Sequence, residues 1–420
     1  MSDLRIQPLK LTTAPKFRGR GNHRTIPPIK TWNRIRPLLD RIGVTRVADI
    51  TGLDRIGIPT YCCVRPLAQR CSVTVTCGKG LRRLDAKVGA AMEAIEYYSS
   101  EPSNHSRIVA RASELEGAYV NPVALILPSW AGQVHTGALE WIAGWDLCNE
   151  ARAWVPANTA FFPYDPKGSG FLFTPTTNGL AAGNTIEESI CHGLAELIER
   201  DAWSLACARL RVGFATDKYP SLDPKTMPRA ARCLVERFRQ SGVELFVRVI
   251  TSDVGLAAFH ACSLEKEGAS QFLAHEGMGA HPDAEVALIR AITEVAQSRA
   301  ADIQGSREDL RFWRARGLQR IDGREWVFQR STLLPFEEIP SYVFTDVLDD
   351  ICLMLRMLQR RGLPQCVAVD LTRPEIGIPV VRMVVPGLEI SSVDPWRVGP
   401  RVLAQLVRDE SRIAQPSATF

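Results

Sequence analysis

The sequence predicts an α+β fold with mixed sheets, and three observations carry that expectation. Apolar residues recur with the helical period in some segments and alternate like strands in others. The two kinds of segment interleave without the strict strand–helix–strand rhythm of a doubly wound parallel sheet. With 420 residues, 45% hydrophobic and 23% charged, the chain has globular composition and enough length to bury a sizeable core.

Taken in order, residues 1–30 read as an irregular arm and 31–42 as a short helix. Turn signals fill 47–66, among them Gly52 and Gly57-Ile58-Pro59. Residues 71–77 alternate as a strand and run into Gly78-Lys79-Gly80. Over 85–98, Val88, Met92 and Ile95 share a helical face. Segments 123–127, 139–145 and 153–155 read as strands, the last two joined by a hairpin turn at 148–151. A Gly- and Thr-rich loop over 174–184 leads into the longest helix, 186–211. Helix 229–241 precedes strands 244–250 and 257–263, and a further helix spans 284–301. Helix 348–361, strands 366–371 and 379–385, and helix 401–409 complete the pattern.

The formal charge of +5 is small for this length and argues against a dedicated nucleic-acid binder. The arm is the exception: before Asp40 its only acidic residue is Asp3, against nine Lys and Arg from Arg5 to Arg36. It reads as a solvated terminal segment, or as a surface for an acidic peptide or phosphates. Eleven cysteines without a CxxC pair fit buried thiols in a reducing compartment. No apolar run approaches the ~18 residues that span a bilayer. The acid-poor start weakly resembles a transit peptide, but Pro15, Pro27 and Pro28 interrupt an amphipathic helix. The expectation is a cytoplasmic enzyme, with neither membrane nor nucleic acid as partner.

The strongest local pattern lies on the long helix. At 100° per residue Ile186, Ile190, Leu194, Leu197 and Leu205 form an apolar stripe, while Glu188, His192, Glu196 and Glu199 fall within about 80° on the opposite face. Carboxylates stacked in this way repel one another unless a cation neutralises them, and magnesium does so well. Two plainer readings stand beside this one: Glu188 completes a capping box with Thr185, and the other glutamates form a wet face. Asp201 falls inside the apolar stripe and has no account at this level. Glu93 and Glu96 repeat the ExxE spacing on the helix after Gly78-Lys79-Gly80. A lysine on such a turn can meet phosphate, although the Walker spacing is absent and a lone GKG is more often just a turn. Arg290, Glu294 and Gln297 share a third helical face, with Arg299 nearby. An Arg290–Glu294 surface pair is the simpler account of that face. The motifs HExxH, GxSxG and GxGxxG are all missing, so zinc-protease, serine-hydrolase and Rossmann readings lack their signatures.

From about Gly21 to Glu389 the chain resembles the YcaO family. The sharpest stretch is Asn178-Gly-Leu-Ala-Ala-Gly-Asn-Thr-Ile-Glu-Glu-Ser-Ile-Cys-His-Gly-Leu-Ala-Glu-Leu-Ile-Glu-Arg-Asp201. Further blocks are Lys79 with Glu93/Glu96, Arg290-Ala-Ile-Thr-Glu-Val-Ala-Gln-Ser-Arg299, Val369-Asp-Leu-Thr-Arg-Pro374 and Pro386-Gly-Leu-Glu389. The resemblance implies a YcaO-like α+β fold with mixed and antiparallel sheets flanked by helices. It divides the chain into a basic arm (1–36), a catalytic domain (37–395) and a C-terminal helix and tail (396–420). It implies ATP and Mg²⁺ as cofactors. Glu93, Glu96, Glu188, Glu196 and Glu199 would bind metal, while Lys79, Asn184, Arg290, Glu294 and Arg299 would meet the nucleotide. Glu199, Arg290 and Glu294 would take the catalytic roles. One departure is Ala181, where many relatives carry a serine three residues before the asparagine.

The implied reaction directs a nucleophile onto a peptide-bond carbonyl, phosphorylates its oxygen with ATP and expels phosphate. Asn22-His23-Arg24, the segment Gly43 to Pro59 and Val64-Arg-Pro66 resemble YcaO proteins that work with a TfuA-like partner, some of which make backbone thioamides. Azoline-forming relatives commonly end in a PxPxP tail, which is absent from Ala414 to Phe420. The expected activity is therefore thioamidation of a precursor peptide or protein. The alternatives are an azoline-forming cyclodehydratase and a nucleotide-binding accessory factor for a sulfur-modifying enzyme. Oligomeric state stays open, a homodimer included.

Overall fold

The computed structural model describes residues 8–17, 23–102, 105–167, 169–211, 218–267, 271–307, 325–329 and 331–413. Strands β1 (Arg46–Asp49), β2 (Thr60–Val64) and β3 (Val75–Lys79) form a small antiparallel sheet. A larger sheet runs β5 (Ala118–Tyr119), β7 (Ala151–Pro156), β6 (Leu139–Asp146), β14 (Val367–Asp370), β15 (Val380–Val384), β8 (Leu180–Ala182), with β4 (Arg107–Ala110) also beside β6. The third is ordered β12 (Gln271–Ala280), β11 (Ala258–Glu267), β10 (Glu244–Val249), β9 (Ser221–Leu222), β13 (Leu333–Leu334). Among the described strands only β5–β7 and β9–β13 pair in parallel. The helices are α1 (Pro28–Ile35), α2 (Arg83–Ser100), a short α3 (Ala157–Ala160), α4 (Ile186–Arg211), α5 (Arg229–Gln240) and α6 (Ala284–Gln304), with later helices Val347–Arg360 and Pro400–Ile413. Mixed sheets flanked by helices are thus what forms.

Small residues set how closely two of these helices approach their strands. A Cβ on Gly78 of β3 would stand 2.2 Å from the Ala86 carbonyl oxygen of α2. On β12, a Cβ on Gly277 would lie 2.3 Å from the Ala291 oxygen of α6, and one on Gly279 would lie 2.1 Å from that of Ala287. Any side chain there would push the helix off the sheet. On α4, Ile190, Leu194, Leu197 and Leu205 are buried, as the stripe predicted. Asp201, inside that stripe, accepts hydrogen bonds from the Glu389 amide (2.9 Å) and from Arg401 (2.9 and 2.8 Å). The ion pair ties helix Pro400–Ile413 to α4.

Three expectations are corrected. Segment 123–127 is not a strand: Pro122–Leu125 turns as a 3-10 helix, with Asn121 accepting from the Val123 amide (3.1 Å). Proline lacks the N–H a ladder needs, and asparagine caps the turn. The predicted helix 31–42 begins earlier, at Pro28, and breaks into 3-10 turns after Ile35. A proline in the first turn suits a helix start, because its missing N–H would have no partner there. The described part of the arm is docked at particular points, although Pro8, Lys10, Thr12, Thr13, Pro15 and Phe17 stay exposed. Ala14 is buried and its amide donates to Asp346 (2.8 Å), while the Lys16 ammonium meets the buried Asp350 (2.6 Å). Strands β1, β2, β4, β5, β8, β9, β12 and β13 were not read from the sequence, and β8 falls inside the loop expected over 174–184. Among the described residues, no helix is long and apolar enough to cross a membrane.

Candidate active site

A cavity of about 960 Å³ lies where α2, α4, α6, β3 and β12 converge. Nine of the ten predicted site residues line it: Lys79 on β3, Glu93 and Glu96 on α2, Asn184 before α4, Glu188, Glu196 and Glu199 on α4, and Arg290 and Glu294 on α6. The tenth, Arg299, is not brought there. Its guanidinium bonds Asp54 (2.9 and 3.1 Å) and Glu265 (2.8 Å), holding α6 to the loop before β2 and to β11.

The carboxylates fall into distinct electrostatic states. Withdrawal from water raises Glu96 well above the usual carboxylate range, and Glu93 and Glu196 add to the rise. One Glu96 oxygen accepts from the Ala182 amide (2.9 Å), and Glu93 accepts from the Cys77 amide (2.8 Å). Glu196 is pushed up to about 7 by loss of water, against the pull of Arg200 and with a push from Glu199. Glu199 is raised by the same loss of water, accepts from the Ala280 amide (3.0 Å) and lies 3.8 Å from Arg200. Glu294 behaves oppositely. Burial would raise it, but Lys79 at 2.5 Å, together with Arg200 and Arg290, holds it below its ordinary value.

Glu188 is saturated by protein donors. One oxygen accepts from the Thr25 amide and hydroxyl, the other from the Asn184 amide (2.8 Å) and side chain (2.9 Å). A carboxylate has about four lone-pair directions, and all are used. His192 accepts at Nδ1 from Arg290 (2.7 Å). Burial lowers its pKa well below the usual histidine value, reinforced by Arg290, Arg24 and Lys79. It is a neutral positioning group for Arg290.

Two cations went unassigned in the sequence reading. Arg200, quoted there without a role, stands between Glu196 and Glu199. Arg382 on β15 is buried and bonds the Asn178 carbonyl (2.8 Å). Burial lowers its pKa to about 10, while Glu196 and Glu96 pull it back up. A lone arginine inside the apolar run Val380-Val-Arg-Met-Val-Val385 was the available signal. Ala181 is fully buried in β8 and does not line the cavity. The set fits magnesium and a polyphosphate: crowded, desolvated carboxylates need a cation, and Lys79, Arg200 and Arg290 need an anion.

Comparison with known proteins places the chain in a family. Residues 77–389 match the family described as YcaO cyclodehydratase, ATP- and Mg²⁺-binding. The chain is 40% identical over 389 residues to an uncharacterized protein of Methanothermobacter thermautotrophicus, covering 91% of this chain and 99% of that one. It is 30% identical over 390 residues to a protein in the tfuA 3′ region of Rhizobium leguminosarum bv. trifolii, covering 87% and 89%. Among solved structures, YcaO from Methanopyrus kandleri bound with AMPPCP and Mg²⁺ superposes with a TM-score of 0.71 at 26% identity, over 92% and 98% of the two chains. A heterocyclase in complex with substrate and cofactor superposes with a TM-score of 0.76 at 24% identity. It covers 95% of this chain, which spans only 58% of that longer protein.

Proposed function

The chain belongs to the YcaO family, and from that premise we propose that it activates a backbone amide of a peptide or protein by ATP-dependent phosphorylation of the amide oxygen, with a thioamide as product. The observation that carries this reading is the opposed state of carboxylates sharing one cavity. Glu96, Glu196 and Glu199 are raised, whereas Glu294 is held low beside Lys79.

When bound, Mg-ATP supplies the transferable phosphoryl group and the divalent cation that offsets its charge. Glu93, Glu96, Glu196 and Glu199 would hold the metal, and Glu188 joins them only by giving up Thr25. Lys79, Arg200 and Arg290 would face the phosphates, and their fixed positive charges favour the developing negative charge of transfer. Glu294 keeps Lys79 in place, His192 orients Arg290, and Asn184 is oriented by Glu188. None of these groups needs to be a nucleophile, because the attacking atom belongs to sulfide or to the peptide.

The relative in a tfuA 3′ region supports sulfide as that atom and a TfuA-like protein as its source. The family's cyclodehydratase description favours a second reading, azoline formation from Cys, Ser or Thr. The test incubates the chain with ATP, Mg²⁺, sulfide, a TfuA-like partner and a candidate precursor peptide. Exchange of one oxygen for sulfur is the expected mass change, and loss of one water selects the azoline reading. Peptide-dependent ADP release should vanish in Glu199→Ala, and release persisting at the wild-type rate would sink the assignment.

A further inference from the structure

One end of the cavity is not used by the phosphate chemistry. There Trp203 of α4 and Trp326 each stack on His260 of β11, with ring centroids 6.4 and 5.5 Å apart and planes 19° and 20° from parallel. His260 is 1% exposed, and among the described residues neither ring nitrogen has a hydrogen-bond partner. Among the described residues, the charged groups beside it include Glu276, 3.6 Å from its Nε2, and Arg248, its cross-strand neighbour on β10. Arg248 is spent on the carbonyls of Tyr219, Trp326 and Val327. A buried polar group left unpaired is costly and is usually explained by a ligand or a function.

This end adjoins the phosphate site and reaches solvent. Arg200, which pairs with Glu199, lies over the Trp203 ring at 5.4 Å. Ser392 is bonded to Ser204 (3.0 Å), and its neighbour Val393, 37% exposed, also lines the cavity. Ile26, Pro28, Leu81, Val88 and Met92 also line the cavity and offer apolar surface on which a nucleobase could lie. At the aromatic end the His260 ring already covers a face of each indole.

We propose that Trp203, His260 and Trp326 form the peptide subsite, in which His260 hydrogen-bonds the backbone of the segment being modified and the indoles take its neighbouring apolar side chain. This rests on the peptide-activation reading above. The segment enters past Val393 and lays its amide beside Arg200, next to the phosphates.

The test uses the full chain and a peptide that supports ADP release by the wild type. His260→Phe and Trp203→Leu are first checked to melt within a few degrees of wild type. Each should raise the peptide KM about 10-fold or more, the scale of one unpaired hydrogen bond, with MgAMPPCP affinity within about 2-fold of wild type. His260→Asn, which keeps one hydrogen bond, should fall between. A peptide KM within about 2-fold in both variants overturns the proposal. So does a loss of MgAMPPCP affinity with the KM spared, which would give the aromatic end to the nucleoside. Absence of peptide-dependent ADP release in the wild type, with MgAMPPCP still bound, instead fails the earlier reading and takes this one with it.

Discussion

Glu196→Gln isolates the electrostatic strain of the metal side. The folded chain raises this carboxyl from 4.5 to about 7. A carboxyl that holds its proton more tightly when folded favours folding most below about pH 4.5, and that advantage is lost as the pH climbs toward 7. At about 1.36 kcal/mol per unit, the ionised group costs at most about 3 kcal/mol at pH 8. The side chain is 20% exposed, so screening lowers this to roughly 1–3 kcal/mol. Glutamine removes the charge at similar volume. In a chain of 420 residues, about 2.1 cal/mol/K of unfolding entropy per residue converts 1 kcal/mol into about 1 °C. The variant should therefore melt about 1–3 °C above wild type at pH 8, and the gap should shrink below about 1 °C at pH 5. MgAMPPCP should raise the wild-type melting temperature, since ligand at 100 times Kd stabilises by about 2.7 kcal/mol, and should barely move that of the variant. A variant less stable than wild type at pH 8, or a gap independent of pH, would refute the reasoning.

Lys79→Met removes the ammonium that holds Glu294 low. MgAMPPCP affinity in calorimetry should fall about 10-fold or more, as a buried carboxylate loses its partner and the phosphates lose a cation. The Lys79 contribution to stability exists only while Glu294 is ionised, so the melting deficit should be full at pH 7 and shrink as the pH falls through the carboxylate range. Arg401→Met strands the fully buried Asp201 and should cost about 3–5 kcal/mol in urea unfolding, leaving MgAMPPCP affinity unchanged. His192→Gln should flatten the acid side of the stability curve. The folded chain keeps His192 neutral while the unfolded chain protonates it below about pH 6.5, so the wild type loses stability there and the variant loses less, as urea midpoints at pH 7 and 5 will read.

The site was more legible than the sheets because helix faces are periodic and local. Glu188, Glu196 and Glu199 could be placed on one side of α4 from spacing alone, and the apolar stripe opposite them is buried as expected. Strand β12 escaped because its second half, Glu276-Gly-Met-Gly-Ala280, lacks β-branched residues. Its glycines answer to α6, and that demand is visible only once the two are packed together. Arg299 shares a block with Arg290 and Glu294, yet nine residues along a helix turn by about 180°, so it faces Asp54 instead. Asp201 looked misplaced because its partner Arg401 lies 200 positions away.

The two pKa directions in the cavity also divide the labour among its glutamates. Glu294 is lowered because Lys79, Arg200 and Arg290 already surround it, so a second cation beside it would meet three positive charges. On the proposed reading, metal would sit on the α2–α4 side, at Glu93, Glu96 and Glu196, and the polyanion on the α6 side, with Glu199 between them. Glu188, bonded through both oxygens, sets Asn184 and clasps the arm at Thr25. Across such a boundary a bound phosphoryl group would have carboxylates able to hold Mg²⁺ on one flank and arginines on the other, the arrangement its transfer requires. If the division holds, Glu294→Gln should weaken MgAMPPCP binding with little change in the Mg²⁺ concentration needed for half-maximal binding, whereas Glu96→Gln should raise that concentration several-fold. Equal shifts in both variants would dissolve the boundary.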